Sequence, residues 1–296
     1  MKYCGKAVLA AVIAMASVTA AFAEMHPTPG PISAWPAAVN EKGAWTVQPY
    51  FFYATKRGDY DNSGNYTALP EGDYNRQASF YALATYGLFE NFDLSAQTIL
   101  MRNSVSSSGL SASATGLADS NLFARYNFMK DEEWKPSMSL FLLAGIPTGK
   151  FEKADAAKLG SDLTGTGAWT TGYGLLAQKN VGNFNLYADA YVTTPFRTTV
   201  DDVQTKYGTQ LNYDLAVEYG LPYNLNFLLE LNGFTSGKTK YDGVVTDGTD
   251  ADFVNITPGI GYSSGKFSAV VGYQRTISGK NSGAWDTLAA TAIFCF

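Results

Sequence analysis

The chain of 296 residues is poor in the groups on which most catalytic chemistry depends. It has one histidine, His26, and two cysteines, Cys4 and Cys295. A single imidazole excludes most histidine-dependent acid–base chemistry, and two cysteines cannot build a disulfide framework. Charged residues make up 16% of the chain, well below the roughly one quarter usual in a soluble domain. Lys and Arg total 21 against 26 acids, for a net charge of −5. That shortage of bases excludes a nucleic-acid surface. Past residue 23 no apolar run reaches the roughly 18 residues of a spanning helix, which excludes a helical membrane protein. Aromatics are abundant instead, at 14% with 19 Tyr and 18 Phe, and 29 glycines accompany them. Disordered chains lack such aromatic content.

The N-terminus reads as an export signal. Lys2 and Lys6 precede an unbroken apolar run from Ala7 to Ala16. Ala21, Phe22 and Ala23 fit the small-x-small cleavage rule, which places the cut before Glu24. The expected organisation is a cleaved signal peptide over 1–23, a Pro-rich periplasmic tail over 24–43 and one β-barrel domain over 44–296. Cleavage removes two lysines and no acids, takes the net charge to −7, and leaves Cys295 without a partner in the chain. It also creates a mature start Glu24, Met25, His26. A free amine, two amide nitrogens and an imidazole suit square-planar Cu(II) or Ni(II), although a histidine at position three needs no purpose.

The remainder alternates. Over 211–219, Leu211, Tyr213, Leu215, Val217 and Tyr219 share one face, and Asn212, Asp214, Ala216 and Glu218 share the other. This period of two marks a strand with one apolar and one polar face. The pattern recurs over 225–232, 184–193 and 121–128. Short turn signals near 90–91, 131–135, 180–183, 221–224 and 263–266 alternate with longer Gly/Ser/Asp-rich stretches at 57–75, 104–117, 149–167, 197–208, 236–250 and 279–283. Between them lie twelve expected strands, near 44–56, 76–88, 92–103, 118–130, 136–148, 168–180, 183–196, 209–220, 225–235, 251–263, 266–278 and 284–296.

Strand length and loop asymmetry select the architecture. A membrane-crossing strand needs about 9–11 residues, and outer-membrane barrels have even strand counts, short periplasmic turns and long outer loops. A β-sandwich, the competing all-β fold, uses strands nearer 5–6 residues. The expected fold is therefore an all-β, transmembrane, antiparallel up-and-down barrel of about 12 strands in the outer membrane of a Gram-negative bacterium. Phe294 and Phe296 end the chain on one face of its last strand. This resembles the C-terminal strand that the barrel-assembly machinery reads in bacterial outer-membrane proteins.

One further stretch carries a family resemblance. Residues 116–128 read GLADSNLFARYNF, and Pro136 opens a strand that ends in Pro147, Thr148 and Gly149. These motifs resemble the outer-membrane transporter family named for the meta-pathway of phenol degradation, with Ala118 in place of the second glycine of its Gly-Leu-Gly-Asp strand start. The resemblance implies an outer-membrane barrel that passes small hydrophobic or aromatic molecules.

Twelve strands at ~4.8 Å, tilted ~40°, give a backbone diameter of roughly 24 Å. Side chains would leave an opening of about 10–12 Å unless a loop or the N-terminal tail plugs it. The period-two reading points Asp93, Arg125, Asp189, Asp214, Glu218 and Glu230 inward as lining of the solute path. Five of these six charges are acids, so the wall favours cations or neutral solutes; the same residues also suit a merely polar filling in which Arg125 pairs with one acid and the others face water. Asp214 and Glu230, at similar depth on neighbouring strands, repel unless a cation or Arg125 lies between them.

Other motifs carry less. Gly145–Lys150 is one residue short of a phosphate loop and has Phe151 where Ser or Thr belongs. Arg57, Gly58 and Asp59 match an adhesion tripeptide of little specificity. Asp242, Asp247, Asp250 and Asp252 cluster on an outer loop, without the spacing of an EF-hand. A barrel phospholipase needs a histidine base, and His26 precedes the first strand. The expected function is a channel or facilitator for small molecules, not an enzyme, with no cofactor. Its partners are a small solute, outer-membrane lipid and lipopolysaccharide, and the assembly machinery. The alternatives are a structural or adhesive barrel acting through its outer loops, and a secreted β-sandwich.

Overall fold

A computed structural model describes residues 29–296; the expected signal peptide, its expected cleavage site and the motif Glu24, Met25, His26 lie outside the described residues. Twelve long strands form one closed antiparallel barrel. They are β1 (Trp45–Tyr60), β2 (Tyr74–Phe89), β3 (Phe92–Ser107), β4 (Ser120–Met129), β5 (Ser137–Ile146), β6 (Thr170–Val181), β7 (Phe184–Pro195), β8 (Gln210–Gly220), β9 (Leu225–Ser236), β10 (Asp252–Ser264), β11 (Phe267–Lys280) and β12 (Ser282–Cys295). Each pairs with its sequence neighbours, and β12 pairs with β1 to close the ring. Beyond the end of β12, the Phe296 N–H donates to the Trp45 carbonyl at 2.9 Å and the Trp45 N–H to the Phe296 carbonyl at 3.3 Å.

The alternation sorts the two faces of the wall. On β8 and β9, Asp214, Ala216, Glu218, Asn226, Leu228 and Glu230 are buried toward the interior, while Leu211, Tyr219, Phe227 and Leu231 are exposed on the outside. Phe51, Phe80, Leu94, Leu122, Leu140, Leu142 and Tyr173 extend this exposed apolar surface around the barrel. Such a continuous apolar exterior is unstable in water and is what hydrocarbon requires. Aromatic pairs gather at the end carrying the short turns: Trp45 with Tyr86 at 4.7 Å, Phe184 with Tyr219 at 4.8 Å and Phe267 with Phe294 at 5.4 Å. They form a girdle at the interface, where such rings settle.

The long connections hold more structure than expected. Leu110–Leu117 folds back on Leu100–Ser107, so this hairpin projects past the barrel rim. Thr198–Val200, Val203–Lys206, Lys240–Tyr241 and Val244–Val245 pair into a separate four-stranded sheet. Outside the bilayer both faces of a strand can be polar, so the ladder continues where the apolar alternation stops. The acids of the 236–250 loop disperse into separate contacts. Asp247 pairs with Lys238 at 2.5 Å, Asp250 with Lys280 at 2.7 Å, and Asp242 accepts from the Gln204 N–H at 3.0 Å. The hydrogen bond from Lys280 in turn holds the Asp250 carboxyl below its ordinary range.

Deleting Phe296 removes the two hydrogen bonds past the end of β12. The temperature at which the compact band converts to the unfolded band on gels of unboiled samples is expected to fall. An unchanged conversion temperature would show that the seam does not depend on this residue.

Candidate functional site

The barrel interior is occupied by its own N-terminal segment. Residues 29–40 carry Pro29, Pro31 and Pro36. Three prolines remove backbone donors and prevent a helix, so the remaining N–H and C=O groups need partners elsewhere. The barrel wall supplies them. Glu230 accepts from the Ile32 N–H at 2.5 Å and from the Ser33 N–H at 3.0 Å. Asp189 accepts from the Trp35 N–H at 2.7 Å, and Asp93 from the Asn40 N–H at 3.0 Å. In the opposite sense, Arg125 Nη1 donates to the Pro36 carbonyl at 2.8 Å, while Asn127 Nδ2 and Ser139 Oγ donate to the Ala37 carbonyl at 3.1 and 2.5 Å.

The segment enters and leaves by the same mouth. Pro29 lies against Gly261, close to the β10–β11 turn; a Cβ there would stand 2.4 Å from the proline ring. Ile32, Ser33 and Trp35 reach deepest, against Glu230 and Asp189, and Asn40 returns to Asp93 beside the β2–β3 turn and bonds Thr46. Apolar packing reinforces the polar grip. Ile32 and Ala34 join Tyr187, Leu228 and Val270 in one buried cluster; Ala37 joins Leu83, Phe123, Phe141 and Leu176 in another. The Trp35 ring lies 4.6 Å from Phe123 and 5.1 Å from Phe141, with the Arg125 guanidinium 6.0 Å from its centre.

All six charged residues read as lining face inward and are buried. Arg125 pairs with one acid, as the polar-filling alternative has it, and does not lie between Asp214 and Glu230: it holds Asp93, with Nε donating to Oδ1 at 3.0 Å and Nη2 to Oδ2 at 2.5 Å. Asp214 stands directly opposite Asp189 in the ladder, while Glu230 stands opposite Ala216. Glu218 accepts from the Tyr187 hydroxyl at 2.7 Å. The tail expected over 24–43 at the periplasmic mouth runs, from Pro29 to Asn40, within the lumen.

A cavity of about 530 Å³ runs beside the segment, lined among others by Trp35, Tyr50, Phe52, Tyr81, Gln97, Asn121, Phe123 and Tyr191. Seven aromatic residues stand in its lining, with the Phe52 and Tyr81 rings 5.0 Å apart, together with residues of the segment itself, side-chain amides and hydroxyls, and Arg125. At the opposite mouth, Asp119 fastens the 147–169 loop. Its carboxylate accepts from the Gly149 N–H at 3.0 Å, the Thr166 N–H at 2.8 Å and the Thr166 hydroxyl at 2.9 Å. The two motifs that carry the family resemblance thus meet in one corner, where a Cβ on Gly149 would stand 2.7 Å from Gly165. Lys150 and Asp162 form an ion pair in the same loop.

The sequence reading missed Trp35 and the inward rings Tyr50, Phe52, Tyr81 and Phe141. A signal was present: the consecutive run Tyr50, Phe51, Phe52, Tyr53 makes both faces of β1 aromatic, as a lumen filled by apolar groups requires.

Arg125→Ala leaves Asp93 buried without its partner. The expected destabilisation is about 3–5 kcal/mol, read as a lower thermal midpoint in detergent; a midpoint equal to wild type would mean that Asp93 is hydrated. Combining Glu230→Gln with Asp189→Asn weakens charge-assisted bonds worth ~1.5–3 kcal/mol each. It should raise open probability in planar bilayers roughly tenfold or more. No change would show that these acids do not hold the segment.

The chain matches a family model described as MetA-pathway of phenol degradation over residues 49–291. No curated protein matches it. Among solved structures, it is similar to an outer membrane channel from Pseudomonas putida F1, with 17% identity and a TM-score of 0.72 over 91% of this chain and 100% of that one. The beta domain of the Bordetella autotransporter BrkA is more distant, with 10% identity and a TM-score of 0.52 over 86% and 100%. Both likenesses are of fold.

Proposed function

Because the chain belongs to the family named for the MetA-pathway of phenol degradation, we propose that it is an outer-membrane channel or facilitator for small hydrophobic or aromatic molecules. The observation that carries this reading is the cavity of about 530 Å³ beside the N-terminal segment, with seven aromatic residues in its lining. Pockets of this size hold small molecules, and apolar walls with a few placed polar groups are their usual lining. Gln97 and Asn121 offer amide contacts to a hydroxyl on such a solute. No enzymatic step is assigned.

On this reading the chain is exported through a signal peptide cut near Ala23, and the barrel-assembly machinery reads Phe294 and Phe296. The folded barrel then sits among outer-membrane lipid and lipopolysaccharide. Asp93, Asp189 and Glu230 are engaged by the segment or by Arg125, so a passing solute meets rings and amides first. Displacing the segment leaves Asp189 and Glu230 to face the path with Asp214, while Asp93 keeps Arg125 and Glu218 keeps the Tyr187 hydroxyl. The displaced state is then cation-preferring. A second reading, a closed barrel acting through its loops, is favoured by the exposed Tyr241, Val244 and Val245 of the outer sheet.

A strain lacking the protein should take up a monoaromatic such as phenol more slowly at limiting concentration than its complemented parent. Equal uptake would overturn the reading. In bilayers, a variant lacking residues 29–40 should conduct with weak cation preference, and Asp214→Asn with Glu230→Gln in that background should reduce it. Anion selectivity, or selectivity unchanged by the pair, would remove these residues from the path. A barrel that conducts in neither state would favour the loop reading.

A further inference from the structure

Four of the six arginines stand together on the outside of the barrel. Arg275, Asp286, Thr55, Arg76 and Ser104 are register partners in one row across β11, β12, β1, β2 and β3. Arg57 and Arg102 lie two residues from that row. Arg275 alternates with the exposed, outward Val271, Tyr273 and Ile277, which fixes its side chain on the outer face. Arg57 sits at a bulge in β1, with Nε 2.9 Å from Asp286 Oδ1; Arg275 Nε is 3.8 Å from the same oxygen. Arg76 stacks on Tyr74 with its guanidinium 4.6 Å from the ring centre, and Arg102 donates to Ser113 Oγ at 3.3 Å. One carboxylate, Asp286, thus serves the ion pairs of a row flanked by four guanidinium groups, on a chain whose net charge is −5.

The height of the row is informative. Thr55 is ten residues along β1 from Trp45 in the girdle at the short-turn end. At ~3.4 Å per residue and ~40° of tilt, the row lies about 26 Å above that girdle, the height of an outer-membrane apolar band of roughly 25 Å. Directly below the arginines the wall is apolar and exposed, through Tyr53, Leu288 and Tyr273, then Phe51, Phe80 and Leu100. The row does not face the lumen, so a solute in transit does not meet it. Guanidinium groups bind phosphate through paired, charge-assisted hydrogen bonds, and the slope beneath suits acyl chains.

We propose that this strip binds one lipopolysaccharide molecule of the outer leaflet, its lipid A phosphates held by Arg76, Arg102 and Arg275 and its chains laid on the apolar wall below. The proposal rests on the outer-membrane reading. The test uses the full folded chain in detergent with bisphosphorylated lipid A as probe, and counts bound lipid by native mass spectrometry. Wild type should retain the lipid. The combined variant Arg76→Gln, Arg102→Gln, Arg275→Gln should bind at least tenfold more weakly, and Arg102→Gln alone several-fold. Lipid A stripped of its phosphates should bind wild type as weakly as the combined variant binds the intact lipid, and inorganic phosphate should not displace it. Equal binding by wild type and both variants would overturn the proposal, as would equal binding of the stripped lipid. Displacement by inorganic phosphate would make the strip a free-anion site and overturn the lipid assignment. Heat-modifiable gel mobility reports the folded barrel separately, so loss of the barrel reading is distinguishable from loss of this site.

Discussion

A peptide group removed from water must find a hydrogen-bond partner, and the structure answers this obligation twice. In hydrocarbon an unpaired backbone group costs several kcal/mol, so the sheet closes on itself and leaves no edge. Closure with period-two strands then fixes which residues face lipid and which face the interior. The interior, in turn, meets the same obligation for the segment from Pro29 to Asn40. That segment has too many prolines to form a helix and no strand beside it. The N–H groups of Ile32, Ser33, Trp35 and Asn40 go to carboxylates and that of Ala38 to the Gln178 amide oxygen, while the carbonyls of Pro36 and Ala37 go to Arg125, Asn127 and Ser139.

This pairing explains the charge of the lumen better than ion passage does. Five acids and one base look like a cation path when the wall is read alone. An extended backbone, however, presents donors and acceptors along its length, and anionic oxygens are the strongest acceptors a wall can offer. Three of the acids, Glu230, Asp189 and Asp93, are used in this way. The interior is complementary to a peptide first and to a solute second.

Legibility in the sequence followed the range of the interactions. The twelve strands were visible because lipid on one side and a polar interior on the other write a period of two into adjacent residues, as in Leu211–Tyr219. The short strands at 198–206 and 240–245 were not, because water bathes both their faces and no apolar face marks them. The inward direction of Asp93, Arg125, Asp214 and Glu230 followed from parity alone. Their partners did not, since Ile32 and Glu230 are separated by 198 positions and no local pattern links them. The arginine row was hidden for the same reason: Arg76 and Arg275 become neighbours only when β12 closes on β1.

The way the segment is tethered bears on how the lumen opens. Its deepest residues are held midway, but both of its ends lie at the short-turn mouth, at Pro29 beside Gly261 and at Asn40 beside Thr46. Just beyond, the Gly43 N–H bonds the Gly87 carbonyl at 2.8 Å, with Gly43 at a φ of +84° that favours glycine. That anchor belongs to the barrel and not to the segment. Withdrawal of residues 29–40 therefore breaks no bond of the ladder, and water that follows into the lumen replaces each lost donor. The net worth of each charge-assisted bond under such exchange is ~1.5–3 kcal/mol, and withdrawal also gives up the packing of Ile32, Ala34, Trp35 and Ala37. A ring-bearing solute that takes the place of Trp35 against Phe123 and Phe141 offsets part of even that cost. On the proposed channel function, the lumen would open by exchanging one aromatic guest for another while the wall stays intact.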